Sequence, residues 1–99
     1  MYARIVTSQM KISHIATAAS IWQKSATEDL KHMKGFNSSC MNADRTSGKC
    51  VVFSLWDTEA DAKAVSSSGQ YQKILEALKD CRDESVPAHL EILEVLAQV

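Results

Sequence analysis

The pattern of apolar residues along this chain predicts one α+β domain with the element order β-α-β-β-α-β, and three observations carry that reading. A first segment of period two leads into a long stripe of period three to four. A weak and a strong strand-like run then flank a turn-forming stretch, and a second helical stripe precedes a final strand. Ninety-nine residues make one domain by length, placed here at residues 2–98. A chain of this size buries roughly 65% of its unfolded surface around a single core.

Tyr2 to Met10 (YARIVTSQM) reads as the first strand, with Tyr2, Arg4, Val6 and Ser8 on one face and Ala3, Ile5, Thr7 and Gln9 on the other. Ser13 is the expected N-cap of a helix reaching about Met33, since Ile15, Ala19, Trp22, Ala26, Leu30 and Met33 form one stripe. Lys31, His32 and Lys34 crowd its last turn, where positive charge suits the helix dipole, and Gly35 supplies the stop.

Phe36 to Ala43 is the second strand, weakened in propensity by Asn37, Ser38, Ser39 and Asn42. Asp44 to Gly48 is turn chemistry, and Lys49 to Trp56 (KCVVFSLW) is the strongest strand, so the two strands form a hairpin. Asp57 or Thr58 caps the next helix, with Thr58 and Asp61 at capping-box spacing. Ser66 to Gly69 interrupts it, and the helix resumes through Tyr71, Ile74, Leu75, Leu78 and Cys81. Pro87 ends a linker before the last strand, Ala88 to Ala97, with Leu90, Ile92 and Leu96 opposite Leu93, Val95 and Ala97.

Two right-handed crossovers in this order give a ferredoxin-like four-stranded antiparallel sheet with both helices on one face. The other face carries enough apolar positions to form a large exposed patch, and pairing with a second copy about a twofold axis is the simplest cover. A homodimer through the sheet faces is therefore expected.

Composition excludes several functions. The formal net charge is −1 with Lys and Arg dispersed, so no basic footprint for nucleic acid exists. The third strand also lacks the glycine–aromatic alternation by which RNA-recognition domains of the same topology stack bases. Apolar runs are too short for a membrane span, and no signal peptide is expected at the N-terminus. Three cysteines without CxxC spacing suit a reducing, cytoplasmic setting, the alternative being a Cys40–Cys50 bridge across the hairpin. The chain has no HxxxH or CxxC pair, no GxSxG elbow and no glycine-rich phosphate loop, so neither metal nor cofactor is expected.

Lys34-Gly35-Phe36 opening the second strand, Asp44 to Gly48 in the hairpin and Leu55-Trp56-Asp57-Thr58 closing the third strand resemble the antibiotic-biosynthesis monooxygenase (ABM) family. Ser68-Gly69-Gln70-Tyr71 before an apolar helix and Val86-Pro87 before the last strand extend the resemblance over nearly the whole chain. It implies a dimeric α/β barrel, two sheets packed face to face with the helices outside, and a pocket between each protomer's sheet and helices. Members of the family oxidise polyketide-type aromatics without metal or flavin, degrade haem, or act on small quinone-like signals. Fold alone does not choose among these.

The haem-degrading members carry an asparagine on the first strand, a helical tryptophan and a histidine. The corresponding places here fall at Thr7 or Ser8, near Val65 and near Leu75. The imidazole ligand is missing, so haem degradation is not expected. Among features of the cofactor-free oxygenases, Trp56 matches the tryptophan ending the third strand, but the asparagine four residues earlier is Val52 and the tyrosine six residues later is Ala62. Oxygen chemistry needs a polar group to take a proton or hold an anion. Arg4, Asn42, Ser54 and Tyr71 are the candidates, and no catalytic residue is assigned among them.

The resemblance thus implies a small-molecule pocket protein whose catalytic form is a cofactor-independent monooxygenase of a small aromatic or quinone-type substrate. Trp22, Trp56 and Tyr71 are the expected walls and Arg4 the expected polar anchor. The alternative is a non-catalytic dimeric barrel that binds a ligand or a protein. Trp56 and Trp22 also read as core aromatics. Arg4 must be partnered if it faces the helices and has no role if it faces an edge. His14, His32 and His89 read as a solvated residue, a helix-end charge and a strand-edge residue, and Cys40 and Cys50 as small buried hydrophobes. A cavity of at least ~300 Å³ with two convergent polar groups would favour the catalytic reading. Closure by Val52, Ala62 and Val65 would favour the other.

Overall fold

Strand pairing is organised around the N-terminal strand. In the computed structural model, which describes residues 1–99, β1 (Tyr2–Gln9) lies between β3 (Lys49–Trp56) and β4 (His89–Glu94), and β2 (Phe36–Ala43) forms the other edge beside β3. All pairings are antiparallel. Helices α1 (Ile15–Glu28), α2 (Glu59–Ala64) and α3 (Gly69–Leu78) complete the ferredoxin-like arrangement. The registers coincide, so Arg4 stands between Ser54 and Ile92 in one row, and Val6 between Val52 and Leu90 in the next. The first row places a charge in the middle of the sheet.

The helix-facing side is the one the period-two reading assigned to Arg4, Val6 and Ser8. Against it pack Ile15, Ala18 and Ala26 of α1, Ala62 of α2, and Ile74 and Leu78 of α3, all buried. The stripe on α1 differs from expectation at one place: Ala18 is fully buried and Ala19 is exposed. Two adjacent alanines leave the pattern unable to set the phase of the helix. Ser13 does not cap α1. Its hydroxyl lies 2.9 Å from His14 Nδ1, and a 3-10 turn over Ile12–His14 leads directly into the helix. At the other end α1 stops at Glu28, and a second 3-10 turn, Leu30–His32, brings Leu30 into the core short of Met33.

Gly35 has φ +82°, and a Cβ there would overlap the Asp61 side chain. Only glycine suits that combination of left-handed backbone and close approach. The polar start of β2 is explained by a bulge between Phe36 and Ser38. Asn37 turns out of the ladder and its Nδ2 donates to Asp57 Oδ1 at 2.7 Å. Asp57 being so engaged, Thr58 is the cap of α2, its hydroxyl accepting from the Asp61 amide at 3.1 Å. The interruption at Ser66–Gly69 is a 3-10 turn, Val65–Ser67, followed by Ser68, whose hydroxyl caps α3 by accepting from the Tyr71 amide at 3.1 Å.

The last strand is shorter than the 88–97 expected, because ladder pairing with β1 ends opposite Tyr2. Beyond it the Val95 amide donates to the Met1 carbonyl, and Leu96 is 87% exposed. The sheet face away from the helices carries Ile5, Val51, Phe53, Leu55 and Leu93, and Leu93 is half exposed. Cys40 pairs with Phe53 and lies on this open face. Cys50 is fully buried beneath the helices, so the two thiols sit on opposite sides of the sheet and cannot bridge. No helix is long and apolar enough to cross a membrane.

Candidate functional site

A cavity of about 70 Å³ lies between the sheet and α3, roofed on one side by Trp22 of α1. Its floor is Arg4, Val6 and Ser8 of β1 with Val52 of β3, and its α3 wall is Tyr71, Ile74, Leu75 and Leu78. Arg82 and Ala88 stand at its rim. Ligand pockets commonly run to ~300 Å³ and above. This one admits only a small group unless a wall moves.

Arg4 dominates the site. It is only 4% exposed, and the period-two face assigned to it turns the guanidinium toward the helices. Nη2 donates to the Ser66 hydroxyl at 2.9 Å, and the guanidinium carbon lies 4.5 Å from the Tyr71 ring centroid, a cation–π contact. Nε is buried with no hydrogen-bond partner. Ion pairs in the chain are Lys63–Glu59, Lys73–Asp29 and His89–Glu91, so no carboxylate neutralises Arg4. An arginine stays charged in any protein setting. The partner that the sequence requires for a helix-facing Arg4 is therefore only half supplied: one hydroxyl and one aromatic face.

The other expected walls separate. Trp22 and Tyr71 are both half-buried and both line the cavity. Trp56 does not line it. That indole is fully buried, donates from Nε1 to the Ser54 hydroxyl at 2.9 Å and meets the Phe36 ring edge-on at 5.5 Å. Ser54, considered as a polar catalytic group, is thereby committed to the core, with its own hydroxyl 3.4 Å from the Arg4 carbonyl oxygen. Asn42 is exposed and reaches the Val51 carbonyl instead. Ala62 and Val65 are buried in the core and Val52 forms part of the floor, so the two marks set for the alternatives are mixed: a small cavity, yet with polar groups on its floor.

Two contributors were not anticipated. Ser8 shares the face of Arg4 by simple alternation and could have been found that way. Arg82 lies beyond α3 and is brought to the rim by an isolated bridge to Met10, flanked by Lys11 N–H to Cys81 O and Asp83 N–H to Gln9 O, each 2.9 Å. No local pattern announces a pairing over seventy residues. The lining contains no Asp, Glu or His. Burial pushes the nearby Cys50 thiol up, a hydrogen bond with Ser8 only partly opposing it, so this cysteine stays a thiol. No group of three or more His, Cys, Asp or Glu stands together at metal-binding range. The chemistry of the site is thus cationic and apolar, able to hold negative charge and without a proton acceptor of its own.

No protein-family model and no curated protein matches the chain. Solved structures do. A protein from Nitrosomonas europaea described as a candidate antibiotic biosynthesis monooxygenase superposes with a TM-score of 0.78 at 18% identity, covering 98% of this chain and 100% of its own. One from Caulobacter crescentus with the same description gives 0.79 at 12% identity, over 97% of this chain and 90% of its own. One from Deinococcus radiodurans, again so described, gives 0.76 at 15% identity, over 100% and 96%. Over nearly its whole length the chain has the fold of proteins described as antibiotic biosynthesis monooxygenases.

Proposed function

We propose that this chain is an ABM-type homodimer whose helix–sheet cavity binds a small organic molecule. The observation that carries the binding role is the convergence of Arg4, Trp22 and Tyr71 on one cavity, from three different elements. A strand, α1 and α3 each contribute one side chain, and a charged group is held in the interior where packing alone would favour an apolar one. The dimer rests on the open sheet face, whose Val51, Phe53 and Leu93 present an apolar surface that a second sheet would cover. The fold shared with proteins described as antibiotic biosynthesis monooxygenases supports assignment to that family.

A cofactor-independent oxygenase is the second reading, and Arg4 favours it. Oxidising a phenol to a quinone consumes one O₂, places one oxygen atom on the ring and releases the other as water, the substrate supplying all four electrons. The step starts from the phenolate, and a buried guanidinium stabilises that anion. The proton must leave to water, because no lining group can accept it. An aromatic ring also needs more room than the present cavity, since a cavity of about 150 Å³ is the size known to accept benzene; Tyr71 or Trp22 would have to move aside. Oxygen consumption by the purified protein with a panel of small phenols and quinols tests this reading, and uptake no faster than without protein would end it. Saturable binding of any panel member, followed by quenching of Trp22 fluorescence in a Trp56→Phe background, tests the binding role separately.

A further inference from the structure

We infer that the cavity selects an organic anion, a small carboxylate with a short apolar body, over neutral molecules of the same shape. The inference deepens the proposed binding role and rests on it. Arg4 is nine-tenths buried, cannot shed its charge, and uses one of its five N–H donors on a protein acceptor. Its two partners, the Ser66 hydroxyl and the Tyr71 ring, carry no negative charge. A buried ion without a counter-charge is normally neutralised or paired. Here the pairing position is the cavity itself.

Three further features agree. A second arginine, Arg82, is among the lining residues, and neither arginine takes part in an ion pair. The lining holds two arginines and no carboxylate, in a chain whose overall charge is −1. The remaining walls, Val6, Val52 and Ile74 among them, are apolar and suit a hydrocarbon body. A volume of about 70 Å³ exceeds the ~10–15 Å³ needed for one water. It falls well short of drug-sized pockets. A planar carboxylate matches the guanidinium fork, which an ammonium would not offer. Ser66 acts as a positioning residue, holding the guanidinium rather than touching the ligand, and Tyr71 both backs the guanidinium and lines the cavity.

Calorimetric titration of the full chain with butyrate and with butyramide, its uncharged near-isostere, tests the inference without any variant. Butyrate is expected to bind at least tenfold more tightly than butyramide, and its affinity to fall as NaCl is raised. Arg4→Met is expected to abolish the preference, Arg4→Lys to retain part of it, and Arg82→Gln to weaken butyrate severalfold. Equal affinity for the acid and the amide overturns the inference and leaves the binding role standing. Phosphate or chloride binding as tightly as butyrate overturns it in favour of a plain inorganic anion site. Absence of binding by butyrate, butyramide and the phenol panel alike removes the proposed binding role along with it.

Discussion

The indole Nε1–H of Trp56 donates to the Ser54 hydroxyl two residues earlier on the same strand, at 2.9 Å and out of reach of solvent. Side chains two apart on a strand share a face, and here that spacing lets the strand satisfy its own buried donor. Ser54→Ala would leave the indole N–H without a partner. The expected cost is about 1–3 kcal/mol of unfolding free energy, read from the urea midpoint, with the affinity of cavity ligands unchanged. A midpoint identical to wild type would mean that water or another acceptor replaces the serine.

Arg4 makes the opposite prediction. Arg4→Met keeps an unbranched stem and removes a buried charge that has no counter-ion. Replacing even a buried ion pair with apolar side chains of similar volume is often neutral or stabilising by ~1–4 kcal/mol, and Arg4 has no counter-ion to lose. The variant is expected to melt above wild type in ligand-free buffer. Lower stability would show that Ser66 and Tyr71 already compensate the charge in full.

Association is expected to depend on the open sheet face. Light scattering at micromolar concentration should report a particle of about twice 10.9 kDa. Phe53→Glu, on the half-buried open side of β3, should return the single-chain mass with the circular dichroism spectrum retained. A single-chain mass for the unaltered protein would remove the barrel from the proposed function.

Acid should loosen two turns before the core. Amides of Thr46 and Ser47 hydrogen-bond the Asp44 carboxylate and hold its pKa below the usual 3.8. The Ser85 hydroxyl and amide do the same for Asp83. A depressed folded value means the stabilisation is fully present above the unfolded pKa and is lost as pH falls through the folded one. The window therefore opens below about pH 4. Carboxyl carbon shifts followed by NMR should give midpoints below 3.8 for both groups, and Asp44→Ala should make hairpin amides insensitive to that window.

Much of the architecture was legible because alternation and helical stripes are local properties. The face shared by Arg4, Val6 and Ser8 follows from period two alone, and the Thr58 cap from its spacing to Asp61. The phase of α1 was not, since Ala18 and Ala19 are chemically alike. Trp56 was expected at the pocket wall and is instead spent on Ser54 and Phe36, a choice made by packing across the sheet. The site was half legible. Arg4, Trp22 and Tyr71 could be named as candidates, whereas Ser66 reaches Arg4, and Arg82 the cavity, only through contacts spanning more than sixty residues.

Two segments bonded to β1 are anchored unequally. Arg82 is tied to the first strand through main-chain bonds on either side, so its side of the cavity behaves as a fixed jamb. The Val65–Ser67 turn, between two short helices, is joined to β1 by the lone side-chain bond from Arg4 to Ser66. A guest acid takes the N–H donors that this bond leaves free, so the turn keeps its hold on the guanidinium while the cavity fills.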